Sequence, residues 1–428
     1  MSRRTVLGGL AASACCAWPA YAKRIRVERY RLANGLRVFL VPNDSGMIAA
    51  RISVNYGAIN DDIAGTAHLL EHVMFGKTRR YSPQDIINLS SNLGKFNATV
   101  ELEWLSSTAE MMAGRLEDYL GFAADAFFEP SFDRQHVESE KQSILEEIAY
   151  STAVASRMRT ELLGEQHPLV RNQQGTKETI QSVDDAKLQD FHAAGIHSNL
   201  MTIILVGSLP VNVKRVIEKH FGSVPSRNVK RRQVGVIPPL VRQRVIDDNS
   251  SNTASTMADV EIGWTLPVSW TSPEVYSLKA LLHLLGGDVY YNRLNQALGV
   301  RNQLTYNVGG LLDIHALGSA YVIRFSTTKN PMMAVTKAFA AMQTLRDRPV
   351  TERMLQAWYE YERYRYLTRI QSNSGIRDLL FEECKTGIHH SEHEDGMAVV
   401  TTRSIRDAAR RYLPTRDGNF VLIVNRYE

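Results

Sequence analysis

The alternation of apolar and polar positions divides the chain into two runs of strands and helices with similar order. Residues 52–56 alternate as a strand, and residues 57–65 carry turn formers (Gly57, Asn60, Asp61, Asp62, Gly65). Residues 67–75 are then apolar except at His68, Glu71 and His72, which predicts a buried helix with three polar groups on it. Residues 137–148 predict a second helix, with Val137, Ile144 and Ile148 as its apolar stripe. Further on, residues 260–264 read as a strand, 274–285 and 292–298 as helices, and 321–326 as a strand. Between the two runs, residues 226–243 are rich in Arg, Lys and Pro (Lys230-Arg231-Arg232, Pro238-Pro239) and read as an exposed linker.

His68-Leu69-Leu70-Glu71-His72 spells H-x-x-E-H, the reverse of the H-E-x-x-H zinc-peptidase signature. On a helix, positions i and i+4 share a face, so both imidazoles can reach one ion, and Glu71 at i+3 projects beside them as a general base. Burying three such groups unpaired costs a few kcal/mol each, and one bound Zn2+ per chain resolves that. A tetrahedral site needs a third protein ligand and an open position. On the second helix Glu140 and Glu147, seven residues apart, border the apolar stripe, whereas Glu146 falls on a more polar side with Ser139 and Ser143. Taken alone this helix reads as a solvated acidic face. Beside the first motif, Glu147 reads as the third ligand and Glu140 as the carboxylate that orients a ligand or the water.

The stretch from Gly65 through Ala67, His68, Glu71, His72 and Phe75 to Thr78 resembles the G-x-A-H-x-x-E-H-x-x-F-x-G-T motif of the inverted zincins. These are the pitrilysin, insulin-degrading enzyme and mitochondrial processing peptidase group, and the short bacterial processing-peptidase-like members are the nearest in form. Glu140 and Glu147 repeat that family's second-helix pair. Asn97-Ala98 resembles the start of its substrate-pairing edge strand, His167-Pro168 with Gly175 the approach to the last helix of the half, and residues 199–207 the strand after it. The resemblance implies an α+β fold in which two homologous α/β-sandwich halves, mostly antiparallel sheets flanked by helices, form a clamshell. It implies domains at 23–225 and 244–428, of which only the first carries the metal ligands; in the second, the helix around His283 lacks them. It also implies zinc-dependent endopeptidase activity on peptides or small unfolded polypeptides, and a homodimer or a heterodimer with a related subunit.

In that family the second half lends an Arg and a Tyr to the substrate, in a pattern like S-R-L-x-x-x-L-R-E-x-x-G-L-x-Y. Here Tyr306 is present, but Gly299 stands at the Arg position and Gln303 at the Gly position. Arg301 is the substitute nearest in sequence, although two residues along a helix turn it about 200° away. Tyr306 is expected as a donor to the developing oxyanion, with packing as its structural alternative. A second match to the signature, His389-His390-Ser391-Glu392-His393, lies between Gly387 and Gly396 without an apolar face or a following paired-carboxylate helix, and is expected to be adventitious surface histidines.

Residues 1–22 read as a twin-arginine-like signal peptide: Arg3-Arg4, an apolar stretch too short to span a membrane, and Ala20-Tyr21-Ala22 as the cleavage site. Export to a bacterial periplasm or beyond is expected, with lipid anchoring at Cys15 or Cys16 the weaker alternative. Losing Arg3 and Arg4 lowers the formal charge from +5 to +3, too mild a balance for nucleic acid. Only Cys384 then remains, so stability rests on an apolar core rather than a disulfide, and no transmembrane segment is expected in the mature chain. Two rivals to the peptidase reading stand: a non-hydrolytic or partner-dependent subunit, and a periplasmic zinc-binding protein.

Overall fold

The computed structural model describes residues 25–150, 157–248, 257–287 and 291–427. The expected signal peptide lies outside these residues. In the first half, strands β1 (Glu28–Arg31), β2 (Arg37–Pro42), β3 (Met47–Val54), β4 (Lys95–Val100), β5 (Leu105–Met112) and β6 (Met201–Gly207) form one sheet in the order β1-β2-β6-β3-β5-β4. In the second, β7 (Arg244–Asp248), β8 (Met257–Leu266), β9 (Val308–His315), β10 (Gly318–Thr327) and β11 (Val421–Tyr427) form another in the order β7-β11-β8-β10-β9. Apart from β1, the two orders are the same. Each sheet contains one parallel pair, β2 with β6 and β7 with β11, and is otherwise antiparallel. This repeated topology is what two homologous halves require.

The first half carries helices α1 (Thr66–Gly76), α2 (Pro83–Asn92), α3 (Leu116–Phe128), α4 (Arg134–Tyr150), α5 (Arg157–Leu163), α6 (Lys177–Ser182), α7 (Asp185–Gly195) and α8 (Val213–Phe221). The second carries α9 (Val275–Gly286), α10 (Arg293–Asn295), α11 (Pro331–Asp347), α12 (Glu352–Arg369), α13 (Asn373–Thr386), α14 (Glu392–Ala398) and α15 (Thr402–Tyr412). The expected strand at 52–56 belongs to β3 but stops at Val54, and Tyr56 packs with a tilted ring on Phe191 at 5.0 Å. The helix expected at 292–298 is α10 running into a π-helical turn over Gln296–Val300.

Strand alternation decides how the halves join. On β2 and β6, Val38, Leu40, Ile203 and Leu205 face the first half's own helices, while Phe39, Val41, Ile204 and Val206 face outward. That outer face is covered by Ile376, Leu380 and Phe381 of α13, from the other half. The arrangement is reciprocal: Val421 and Ile423 on the outer face of the second sheet pack against Met158 and Leu162 of α5. Phe381 meets Trp104 at 5.2 Å, and the guanidinium of Arg51 lies 4.1 Å over the Phe381 ring while pairing with Asp378. Residues 224–243 carry no helix or strand. They are not wholly exposed as expected, because Val234 and Ile237 are buried against Ile59 and Leu169.

Candidate metal centre

The helix α1 is held at its start by a residue five positions earlier. Its N-cap, Gly65, has φ +90° and no side chain to offer. Asp61 supplies the missing acceptor: its carboxylate takes the backbone N–H of Gly65 and of Ala67, each at 3.0 Å. Burial pushes the Asp61 carboxyl up to about 7, against the pull of those hydrogen bonds and of Arg171. Arg171 and Arg232 both donate to the Asp61 carbonyl, so the 60–62 turn is tied to the 171–175 loop and to the linker.

Ala67, Leu69, Leu70, Val73 and Met74 bury the inner side of α1, which leaves His68, Glu71 and His72 together on the half-buried side. The two imidazoles meet edge to face at 4.9 Å. Their Nε2 atoms both face Glu147 on α4, His68 at 3.4 Å from Oε2 and His72 at 3.6 Å from Oε1. The Nδ1 atoms point away, toward acceptors: His68 to the Gln174 carbonyl at 3.5 Å and His72 to Glu140 Oε2 at 3.3 Å. Those acceptors favour the Nδ1–H tautomer at both rings, which leaves both Nε2 lone pairs for a ligand.

The donor set fits zinc. Tetrahedral ligands with bonds near 2.1 Å stand about 3.4 Å from one another, close to the separations between each Nε2 and Glu147. Burial, with repulsion from His72, lowers the His68 pKa and favours the neutral ring a metal needs. Burial also works against protonation of His72, but the Glu140 hydrogen bond and the nearby Glu71 and Glu147 outweigh it and raise that pKa. Glu71 is pushed up to about 7, first by burial and then by Glu147 and Glu140, with His72 opposing.

The placement of His68 depends on two glycines. Gly65 and Gly175 both have positive φ, and a Cβ on Gly175 would stand 2.8 Å from the Ala64 carbonyl and 3.1 Å from the Gly65 Cα. This close approach carries the Gln174 carbonyl to His68. No side-chain pattern announces a backbone acceptor, so Gln174 was not among the expected residues.

β4, which carries Asn97 and Ala98, is an edge of the first sheet. Asn97 pairs with Thr108 and Ala98 with Ser107 of β5, and no other described strand pairs on the far side. Phe96, just before them, packs on Phe75 of α1 at 6.0 Å, which fixes the edge beside the histidine-bearing helix. Arg301 follows the π-helical turn in the second half. Tyr306 is fully exposed on the turn after the π-helical segment, and the cavity it lines with Asn295, Gly299 and Gln303 contains none of the histidine-site residues. Gln303 has φ +50°, which accounts for Gly in the pattern at that position.

The second histidine match also departs from expectation. His390 is buried rather than superficial, and its Nδ1 lies 3.0 Å from Glu383 Oε2. Arg29 of β1 binds the same carboxylate and lies 3.1 Å from His389 Nε2. Glu383, His389 and His390 could by spacing hold a cation, but the Arg29 guanidinium already binds Glu383 and His389 and the cluster joins β1 to α13. In the second half His283 lies at the C-terminal end of α9, its ring tilted against Tyr361 at 4.5 Å, and among the described residues it belongs to no group with metal-ligand spacing.

The two-sheet architecture with an inverted histidine motif on the first helix of one half defines a class of peptidase fold. Residues 38–181 match the family model "Insulinase (Peptidase family M16)", and residues 182–357 match "Peptidase M16 inactive domain". The chain belongs to peptidase family M16. It is similar to the uncharacterized zinc protease YmxG of Bacillus subtilis, 23% identical over 381 residues, covering 84% of this chain and 90% of that one. Among solved structures, a protease from Helicobacter pylori superposes with TM-score 0.80 at 17% identity over 93% of this chain and 99% of that one. The first half of the periplasmic protease PqqL from Escherichia coli gives 0.76 at 15% identity, with 93% and 91% covered, whereas this chain spans 47% of whole PqqL. Family and relatives together support a peptidase.

Proposed function

We propose that this chain is a zinc-dependent endopeptidase, and the observation that carries the reading is the convergence of His68 Nε2, His72 Nε2 and the Glu147 carboxylate at ligand spacing. His68, His72 and Glu147 would hold the ion. When bound, zinc supplies Lewis acidity to a water and to the scissile carbonyl. Glu71, beside the two histidines, takes a proton from the attacking water and returns it to the departing amine nitrogen. The free edge of β4 at Asn97 and Ala98 binds the peptide in extended form by adding a strand to the sheet. Chelation should abolish cleavage of a quenched fluorescent peptide, and zinc should restore it; activity that survives full zinc removal would overturn the reading.

A second reading, a partner-dependent subunit, has specific support. A Cβ at Gly299 would lie 3.0 Å from Asn295 Oδ1 and 3.3 Å from the Thr305 carbonyl, so the π-helical turn leaves no easy room for the family's Arg. The cavity that Tyr306 lines includes none of the histidine-site residues, and this chain spans about half of PqqL. A homodimer or a related second subunit would complete the site, and mass measured in solution by light scattering distinguishes either from a monomer. A zinc-carrier role has less support, because a buried Glu71 beside two ligands serves no purpose in storage. Export to the periplasm belongs to the same proposal: PqqL is a periplasmic protease, residues 1–22 have the features of a signal peptide, and among the described residues no helix is long and apolar enough to cross a membrane.

A further inference from the structure

We propose that His136 is a positioning residue for the metal ligand His72, acting through Glu140. This inference rests on the zinc reading of the site. His136 and Glu140 sit one turn apart on α4, and His136 is 7% exposed. Its Nε2 donates to the Val73 carbonyl at 3.1 Å, and its Nδ1 lies 3.6 Å from Glu140 Oε1. The other oxygen, Oε2, faces His72 Nδ1 at 3.3 Å. The contacts therefore close a loop: from His72 to Glu140, on to His136, and back to α1 at the residue after His72.

A carboxylate bound by one partner can turn about its last torsion and exchange oxygens, because that torsion is broad. His136, 3.6 Å from the second oxygen and packed with it over Gly76, restricts that turn, and His136 is itself fixed by the Val73 carbonyl. The consequence falls on His72. With Glu140 held, Nδ1 keeps its hydrogen toward α4 and Nε2 keeps its lone pair toward the ion.

Gly76 makes the loop possible. A Cβ there would stand 2.8 Å from Glu140 Oε1 and 2.8 Å from His136 Cε1. The family motif has its Gly one place later, where this chain has Lys77. Gly76 has no positive φ and closes a helix, so Ala at this position is favourable for the backbone and harmful only to the two side chains above it.

The test is zinc affinity, measured by competition with a chromophoric chelator on the full chain. His136→Phe and Gly76→Ala should each weaken zinc binding by about tenfold, the low end of what loss of a supporting contact does to a metal site. His136→Phe added to Glu140→Gln should cost nothing further, because His136 acts only through Glu140. A purely structural role predicts additive losses instead, and additivity would overturn the proposal. So would wild-type affinity in Gly76→Ala, the variant that keeps the interior intact if His136→Phe folds poorly. A wild-type chain that takes up no zinc would overturn the zinc reading and this inference with it.

Discussion

Glu71 should make the metal-free chain less stable as pH rises, and Glu71→Gln should remove that share of the pH dependence while the share of Asp61 remains. The folded carboxyl sits at about 7 against an ordinary 4.5. Between those values the folded state binds a proton that the unfolded state has lost, so stability falls as pH rises through the window and the loss is complete above about 7. At ~1.4 kcal/mol per pH unit the burden reaches about 3 kcal/mol at pH 8 and stays under about 1 kcal/mol at pH 5. Gln fills the same space without a charge. Urea unfolding of chelator-treated wild type and Glu71→Gln at both pH values reads the difference directly. The variant should be more stable at pH 8, by a margin about 2 kcal/mol larger than at pH 5. A margin independent of pH would show that Glu71 is not a carboxyl held near neutrality by burial.

Other expectations follow from single contacts. Gly175→Ala must place a methyl 2.8 Å from the Ala64 carbonyl at φ +79°; it should cost at least about 1–2 kcal/mol in urea melts, and weaken zinc binding by moving the Gln174 carbonyl from His68. Phe381→Ala opens the packing between α13 and the first sheet; a loss of about 3–5 kcal/mol is expected, with faster limited proteolysis between the halves. His389→Ala should leave zinc at one ion per chain by atomic absorption, since Arg29 already fills that cluster; a fall in stoichiometry would make it a second metal site.

What the sequence disclosed follows from how each feature is encoded. The histidine motif is local, and helical periodicity alone puts His68, Glu71 and His72 on one side of α1. Glu147 was legible because its own helix has an apolar stripe that sets the carboxylate's direction. The repeated strand order was visible as repeated periodicity, although the ends of β3 and the π-helical turn were not. His136, Asp61 and the Gln174 carbonyl went unseen because their roles depend on backbone groups or on packing between helices distant in sequence. The burial of His390 was likewise hidden, as it sits on a cluster that Arg29 completes from some 360 positions away by binding Glu383 and His389. Val234 and Ile237 were masked by the basic residues around them.

The central claim is that one zinc ion at His68, His72 and Glu147 and the carboxylate of Glu71 together hydrolyse peptides. The most direct measurement is turnover of a quenched fluorescent peptide library by zinc-quantified wild type and Glu71→Gln. The account predicts cleavage by wild type and a loss of at least about a hundredfold in the variant at equal zinc content. Equal turnover by the two proteins, with zinc bound in both, would contradict it.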